Sequence, residues 1–334
     1  MKSKSKWVMD SQSIIALFDT AGIEGITNIR PLGNGEYNSI FSGISSGKEY
    51  VIKIAPKGNC HTLTYENDMI KQEVYFYSLI HDKTNIKVPD IYYSDFTCKQ
   101  TQSSFFIMEK LMGKQINQTQ LTTTEKATVQ LKIAEMVAQM HLIKNDKFGY
   151  RQNTLYDNWY LAITSMVENL INDCQRLKRD TRNGKKLLEY IKQNEKILTT
   201  VDSNMVNFDI WPPNIFCQKE NGNIKLAWID LERCFFGDRI ADFVCLDFMN
   251  MSLDKKKESI DAYNKISDSP LIITDNERIR FAIMLGYLGL IMEVEKYARY
   301  NIFHFGWWRN VLACTLIFKT SFTQLAKLSI RYKK

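Results

Sequence analysis

The chain has 334 residues, of which 45% are hydrophobic and 24% are charged; this composition suits one large or two modest folded domains and is unlike that of a disordered protein. Its net charge of +7 is mild, and basic residues cluster only at 1–6 and 331–334, which argues against binding to nucleic acid or membranes. The seven cysteines contain no C-x-x-C pair, which argues against a disulfide framework and a zinc site. The longest apolar run, 281–292, is too short to span a bilayer, and no secretory signal is evident. We therefore expect a cytoplasmic protein.

The first third of the chain is rich in predicted strands. A short helix over 11–20 precedes strands at 28–32, 37–44 and 49–54, and a helix over 65–81 precedes strands at 88–96 and 103–111. Gly33 and Gly35 lie in the turn between the first two strands. Such glycines can simply permit positive φ angles, but a glycine-rich hairpin can also lay its backbone over phosphates.

A lysine and a glutamate in this region are expected to pair. Lys53 lies within the third strand, and Glu73 is set within the apolar stripe Ile70, Tyr77 and Ile80 of the following helix. A carboxylate on a packed face needs a partner, and Lys53 is the nearest candidate along the chain. The alternative is that Glu73 lies at the edge of the stripe and remains in water.

Most of the remaining chain has a helical pattern, which starts near 111–113. Helices are predicted over 126–143, 156–177, 185–198, 240–251, 255–266, 275–300 and 307–330. His141, near the apolar face of the first of these helices, is expected to be a packed residue rather than a catalyst.

The stretch 205–216 combines a carboxylate, two prolines and an amide between two apolar runs. Because prolines extend neither a helix nor a central strand, the segment from Asp209 to Asn214 is predicted to be a loop. The following Asn-Gly pair at 221–222 predicts a two-residue hairpin turn, which would pair Glu220 with Asn223. Counting outward places Asn214 opposite Ile229, next to Asp230. Oxygen ligands gathered in this way suit a Mg²⁺ ion shared with substrate phosphates.

Taken together, these segments resemble the aminoglycoside phosphotransferase and choline kinase family of small-molecule kinases, which has the protein-kinase-like fold. The resemblance covers nearly the whole chain and rests on the order of the segments 33–41, 51–53, Glu73, 107–109 with Gly113, 133–141, 207–214, 228–232, 237–238 and 241–243. It implies an α+β, bilobal fold. Residues 1–111 would form a nucleotide-binding lobe with an antiparallel sheet and one long helix, and 112–334 a larger, mostly helical lobe for catalysis and acceptor binding.

The resemblance also implies roles for individual residues. Asp209 would orient the acceptor hydroxyl and take its proton, while Asn214 and Asp230 would hold Mg²⁺. ATP or GTP would be the co-substrate. The nucleotide would contact Gly33, Gly35, Asn38, Val51, Lys53, Glu73, Met108, Glu109 and Leu111, with the backbone of Glu109 and Leu111 facing the purine.

Two positions and one segment depart from relatives. The small-molecule kinases usually have histidine where Asn207 stands and often glycine where Phe208 stands. The usual histidine is structural, so Asn207 weakens the resemblance without removing a reactive group. No activation loop with an A-P-E pattern follows Asp230, which argues against a protein kinase.

The acceptor is the least constrained part of the prediction. Asp157, Trp211 and Glu232 are candidate acceptor contacts; other carboxylates and aromatic residues that could serve are Glu168, Glu293, Glu295, Trp159, Trp307 and Trp308. The predicted acceptor is an aminoglycoside-type antibiotic or a related aminosugar, which would make the chain an antibiotic-resistance enzyme.

Three alternatives stay open at this point. The first is a kinase for choline, ethanolamine or a sugar. The second is a catalytically inactive nucleotide-binding regulatory module. The third is an unrelated helical interaction protein in which the motif is coincidental and Asn214 lies apart from Asp230.

Overall fold

The chain forms two compact units. The computed structural model describes Trp7 and residues 9–33, 38–57, 63–220 and 222–331. By their contacts, these residues fall into a first unit drawn from Met1–His61, Asp68–Thr119 and Pro212–Glu232, and a second unit drawn from Thr62–Asn67, Gln120–Trp211 and Arg233–Lys334. The sequence prediction divided the chain once, after Leu111. The contacts instead place Pro212–Glu232 in the first unit and Thr62–Asn67 in the second.

An antiparallel sheet forms the larger part of the first unit. Within the described residues it has five strands in the order β1-β2-β3-β5-β4: β1 (Thr27–Pro31), β2 (Ser39–Ser45), β3 (Lys48–Ile54), β4 (Ile91–Asp95) and β5 (Phe105–Glu109). Helix α1 (Ser11–Thr20) precedes the sheet, and the long helix α2 (Met69–Lys83) connects β3 to β4.

The alternation of β3 and β5 explains where the core of this sheet lies. Ile52 and Ile54 of β3 and Phe105 and Ile107 of β5 point to one side, where they are fully buried. The apolar face of α1 covers them and contributes Ile14, Leu17 and Phe18 to the same cluster. Lys53, between the two buried isoleucines, therefore projects from the opposite face of the sheet.

A second, smaller sheet in the first unit contains the predicted hairpin. Strands β8 (Ile215–Glu220) and β9 (Asn223–Trp228) pair from Glu220–Asn223 to Ile215–Trp228, and the Ile229 N–H donates to the Asn214 carbonyl at 2.9 Å. This is the predicted register, although Asn221 of the turn lies outside the described residues. The edge strand β6 (Lys114–Gln115) approaches β8 so closely that a Cβ on Gly113 (φ 93°) would lie 2.5 Å from the Cys217 carbonyl oxygen.

The second unit is mostly helical. Its helices are α3 (Thr123–His141), α4 (Trp159–Arg176), α5 (Arg182–Gln193), α6 (Glu195–Thr199), α7 (Ile240–Cys245), α8 (Lys257–Asn264), α9 (Asp275–Arg299) and α10 (Phe305–Arg331), and β7 (Asn204–Val206) pairs with β10 (Phe235–Gly237). Helix α9 is buried along most of its middle part, from Phe281 to Lys296, and packs along α10. Two helix predictions were too long: the segment 185–198 is two helices, and the one predicted over 240–251 ends at Cys245.

The predicted α+β class, with a strand-rich first part and a helical second part, is confirmed. Among the described residues, no helix combines the length and apolar character needed to cross a bilayer.

Candidate functional site

The predicted Lys53–Glu73 ion pair is present, within a larger cluster of charges in the first unit. Lys53 Nζ lies 2.7 Å from Glu73 Oε2, 2.6 Å from Asp230 Oδ1 and 3.1 Å from Glu232 Oε2. Lys53 and Glu73 are both buried, so neither charge can be compensated by bulk water. The alternative in which Glu73 remains in water is excluded.

The cluster contains more negative than positive charge. Burial lowers the pKa of Lys53, but the carboxylates of Asp230, Glu232 and Glu73 outweigh it and hold that pKa well above its ordinary value. Burial, together with the carboxylates of Asp230 and Glu232, raises the pKa of Glu73 despite the nearby ammonium. One ammonium therefore does not balance three carboxylates, and a further cation would stabilise their ionised forms.

The hairpin brings the two predicted Mg²⁺ ligands together, which excludes the reading in which they lie apart. The Asn214–Ile229 backbone hydrogen bond places Asn214 opposite the residue before Asp230. Asp230 has a φ of 64°, a left-handed conformation that is uncommon outside glycine. Its N–H donates to Tyr77 Oη at 2.8 Å, and the Tyr77 hydroxyl donates to Glu73 Oε1 at 3.0 Å.

Carboxylate oxygens of Glu73, Asp230 and Glu232 lie within 4.8 Å of one another. Hard oxygen donors at this spacing fit Mg²⁺, which prefers carboxylate and phosphate oxygens. Asn214 lies at the base of the same hairpin, where its backbone carbonyl accepts the Ile229 N–H. The residues present therefore fit the ion that the family resemblance implies.

The base-binding candidates lie along β3 and β5. Val51 and Met108 are buried and pair directly across the two strands. The Glu109 N–H donates to the Asp90 carbonyl at 2.8 Å. Of the two backbone groups of Glu109, the carbonyl is therefore the candidate hydrogen-bond partner of a purine. The Glu109 carboxylate binds Lys87 Nζ at 2.5 Å, and Leu111 is buried two residues further on.

The glycine turn is described only in part. Gly33 has a φ of 66°, which suits glycine, whereas Gly35 lies outside the described residues. Asn38, after the turn, donates from Nδ2 to Glu232 Oε2 at 2.9 Å. Glu232, a candidate acceptor contact, therefore belongs to the Lys53 cluster.

In the second unit, the backbone before Asp209 is fixed by a buried carboxylate of α7. The N–H groups of Asn207 and Phe208 donate to Asp242 at 3.1 and 2.7 Å, and His141 Nε2 lies 3.0 Å from the same carboxylate. The Asp209 N–H donates to Asn207 Oδ1 at 3.2 Å. His141 is a packed residue, as expected, and its other ring nitrogen contacts Tyr263 Oη at 3.0 Å.

A second set of charges, centred on the buried carboxylate of Glu295, lies next to Asp209 within the same unit. Arg233 Nε is 3.9 Å from Asp209 Oδ2, and Arg233 Nη2 is 2.5 Å from Glu295 Oε1 on α9. The Tyr65 hydroxyl donates to the same oxygen at 2.5 Å, and Arg299 lies 3.2 Å from it. Arg233 therefore places positive charge beside the Asp209 carboxylate.

The remaining acceptor candidates are in the second unit. Asp157 is exposed and forms an ion pair with Lys147. Trp211 is 53% exposed and lies two residues after Asp209. Trp159, by contrast, is fully buried and stacks on Phe235. Glu293 binds the side chain of Asn183 at 3.3 Å, and Glu295 is held by two arginines.

The model of the phosphotransferase enzyme family, abbreviated APH, matches residues 28–254 of this chain. That segment is more than half of the sequence and contains every residue of the Lys53 cluster as well as Asp209. The chain belongs to the phosphotransferase enzyme family. Its predicted enzyme class, a phosphotransferase, is thereby confirmed. No curated protein matches its sequence.

Several solved structures share the fold of this chain. A protein assigned as an aminoglycoside phosphotransferase from Ralstonia eutropha JMP134 is similar with a TM-score of 0.68 and 13% identity, over 95% of this chain and 98% of that one. One assigned as fructosamine-3-kinase from Haemophilus somnus 129PT gives 0.63 and 19%, over 94% and 97%. A thermostable mutant of aminoglycoside phosphotransferase APH(4)-Ia, in a ternary complex with AMP-PNP and hygromycin B, gives 0.61 and 16%, over 91% and 97%.

Sequence reasoning gave no role to Tyr77, Asp242 or Arg233. A signal was available for Asp242, because it interrupts the apolar run of α7 and a carboxylate in such a run needs a partner. For Tyr77 the signal was weaker, since a tyrosine in an apolar stripe is usually a core residue. Arg233 is one of many arginines in the chain, and nothing local distinguished it.

Proposed function

We propose that this phosphotransferase moves the γ-phosphoryl group of ATP or GTP to a hydroxyl of an aminoglycoside-type antibiotic or a related aminosugar. The observation that supports it most is the Lys53 ammonium, buried and in contact with Glu73 and Asp230 at 2.7 and 2.6 Å. Phosphoryl transfer requires positioning and neutralisation of phosphate charge, and this arrangement supplies fixed groups for both.

The nucleotide is bound by the first unit. Lys53 contacts the α- and β-phosphates while Glu73 holds the ammonium in place. Gly33, Gly35 and Asn38 are the proposed contacts of the glycine-rich segment to the phosphates. The purine lies beside Val51 and Met108, and its hydrogen-bond partners are the backbone groups of Glu109 and Leu111.

Asn214 and Asp230 hold Mg²⁺ in this proposal. When bound, the ion neutralises charge on the nucleotide phosphates. Glu232 and Asn38 shape the same cluster through their mutual hydrogen bond of 2.9 Å.

Asp209 is the proposed catalytic base, which accepts a proton from the acceptor hydroxyl. Two contacts within the second unit suit that role. Asn207 Oδ1 accepts the Asp209 N–H and fixes the backbone, and the Arg233 guanidinium lies 3.9 Å from the Asp209 carboxylate.

The choice of acceptor is supported by solved structures with the same fold, which include an APH(4)-Ia complex with hygromycin B and an APH(2")-IIa complex with gentamicin. Asp157 and Trp211 are the proposed acceptor contacts. Transfer to such a compound would make the chain an antibiotic-resistance enzyme. A second candidate, a sugar-type metabolite, is favoured by the half-exposed indole of Trp211, since aromatic rings stack on sugars, and by the likeness to a protein assigned as fructosamine-3-kinase.

A phosphorylation screen tests the proposal. Purified protein is incubated with ATP or GTP and Mg²⁺ against aminoglycosides, aminosugars, ketosamines, choline and macrolides, and product is detected by mass spectrometry. With a positive acceptor, Asp209→Ala is expected to lower kcat by roughly 10² to 10⁴, while Asp261→Ala, an exposed carboxylate on α8, leaves it unchanged. Undiminished turnover by Asp209→Ala would refute the assigned base. Nucleotide binding without transfer to any acceptor would favour an inactive regulatory module.

A further inference from the structure

Tyr77 connects two parts of the first unit that are 153 residues apart in sequence. It lies on α2, one turn after Glu73, and its side chain is buried. Its hydroxyl accepts a hydrogen bond from the Asp230 N–H at 2.8 Å and donates one to Glu73 Oε1 at 3.0 Å. The Asp230 N–H can only donate, so the Tyr77 oxygen is the acceptor there and its hydroxyl proton remains for Glu73.

The position of Asp230 explains why such a partner matters. The ladder of the hairpin ends with the bond from the Ile229 N–H to Asn214, so Asp230 is the first residue beyond it. Its φ of 64° turns the backbone out of the extended conformation of β9. Tyr77 accepts the N–H at this turn, and it thereby holds the peptide that carries the Asp230 side chain.

The contacts close into a ring. Tyr77 Oη binds Glu73, the other Glu73 oxygen lies 2.7 Å from Lys53 Nζ, Lys53 Nζ lies 2.6 Å from Asp230 Oδ1, and the Asp230 N–H returns to Tyr77. A shift in any one member therefore changes the distances of the other three.

We propose that the Tyr77 hydroxyl is a positioning group that couples the Lys53–Glu73 pair to the orientation of Asp230 and so sets the affinity for the Mg²⁺ complex of the nucleotide. This inference rests on the proposed function, because it takes Asp230 as a Mg²⁺ ligand. Tyr77 itself touches neither ion nor nucleotide in this account.

A purely structural role is the competing explanation. The Tyr77 ring packs edge-on against Phe106 of β5, with centroids 6.3 Å apart, so the ring also belongs to the core. Tyr77→Phe keeps that packing and removes only the hydroxyl. Tyr75→Phe, on the same helix, removes the same atom from a side chain that is not part of the ring of contacts.

The experiment measures the binding of a non-hydrolysable ATP analogue by calorimetry, with Mg²⁺ and with EDTA, for the full chain and both variants. For Tyr77→Phe we expect a loss of about tenfold in affinity with Mg²⁺ and no change with EDTA, the loss being that of a hydrogen bond at a charged site. Tyr75→Phe should match the unchanged protein in both. A variant that merely lowers the folded fraction would weaken the affinity with Mg²⁺ and the affinity with EDTA equally. The ratio of these two affinities would then be unchanged, which distinguishes such a variant from one that acts through Mg²⁺.

An unchanged ratio for Tyr77→Phe, or the same loss for Tyr75→Phe, would overturn the inference while leaving the proposed function intact. Failure of the unchanged protein to bind nucleotide at all would instead refute the proposed function and the inference with it. If Tyr77→Phe does not fold, 3-fluorotyrosine introduced at position 77 replaces it, since it keeps the ring and hydroxyl but is a poorer acceptor. If 3-fluorotyrosine weakens nucleotide affinity only when Mg²⁺ is present, the positioning role of the hydroxyl is supported. An unchanged affinity with Mg²⁺ overturns it.

Discussion

Phe208 occupies a backbone conformation that explains one departure of this chain from its relatives. Its φ is 55°, in the left-handed region, where a residue other than glycine costs about 1–2 kcal/mol. The family often has glycine there, which adopts this conformation without strain. Phe208 offsets the cost by burying its ring against Phe235 and Tyr287, with centroids 5.7 and 5.6 Å away. Burial of the ring thus stabilises a left-handed residue in the loop before Asp209.

Asn207 yields a test at the same scale. Its Oδ1 accepts the Asp209 N–H at 3.2 Å, and a histidine could accept the same bond through a ring nitrogen. We expect Asn207→Ala to lower kcat by about tenfold, because one hydrogen bond that fixes the proposed base is lost. Asn207→His should retain the activity or raise it modestly. Steady-state kinetics with a confirmed acceptor measures both, and a large loss in the histidine variant would show that the loop is built differently from that of its relatives.

The sequence could specify short-range geometry around these residues but not their distant partners. The Asn-Gly turn determines the pairing of β8 with β9, so the meeting of Asn214 and Asp230 followed by counting. The Lys53–Glu73 pair followed from a carboxylate within an apolar stripe. The bonds from Tyr77 to Asp230 and from Asn38 to Glu232 join residues 153 and 194 positions apart, and no local pattern indicates which side chains meet at such separations.

At the scale of elements, the carboxyl end of α9 is anchored by buried charges. Glu295 accepts from the Tyr65 hydroxyl and pairs with Arg233 and Arg299, and Arg299 also contacts Glu66 at 2.5 Å. Burial alone would raise the pKa of Glu295, but the two arginines outweigh it and lower that pKa to about 2. The folded-state pKa is thus below the unfolded value, so this carboxylate stabilises the fold above about pH 4.5, and the contribution is lost as the pH falls toward 2.

Urea denaturation between pH 7 and pH 2 tests this anchor. From pH 5 to pH 2 we expect Glu295 to contribute a loss of about 3 kcal/mol in the free energy of unfolding. Glu295→Gln should lack that part of the decline, and at pH 7 it should be less stable, by about 3 kcal/mol, because Arg233 and Arg299 lose the carboxylate that they share. Glu168→Gln, exposed on α4, is the control and should keep the profile of the unchanged protein. An unaltered acid slope in Glu295→Gln would contradict the assignment.

The β8–β9 hairpin packs with elements that lie far from it in the sequence. The hairpin β8–β9 follows Asp209 in sequence, yet the Trp228 N–H donates to the Lys87 carbonyl at 2.9 Å, and β6 pairs with β8, so the hairpin belongs to the first unit. The change from strands to helices near residue 111 marks where the pattern of the sequence changes. It does not show which later segment returns to the earlier unit, because that depends on pairing between strands far apart in the chain.

At the scale of the whole molecule, the proposed nucleotide and metal residues all lie in the first unit and the proposed base lies in the second. Nucleotide binding can therefore be measured by thermal unfolding without knowledge of the acceptor. A ligand at 100 times its Kd stabilises the folded state by about 2.7 kcal/mol, which for a chain of this size raises Tm by roughly 5 °C. We expect a Mg²⁺–ATP analogue to produce a shift of this order.

Lys53→Met should abolish that shift, because the variant loses the ammonium that binds the phosphates and leaves the carboxylates of Glu73, Asp230 and Glu232 without their counter-charge. Lys48→Met is the matched control, since Lys48 lies on the same strand, is exposed, and is not part of the cluster. Both variants are compared with and without the analogue by differential scanning fluorimetry, so that any change in intrinsic stability is subtracted. An equal ligand-induced shift in Lys53→Met and Lys48→Met would show that the phosphates bind elsewhere and would remove the main support for the proposed function.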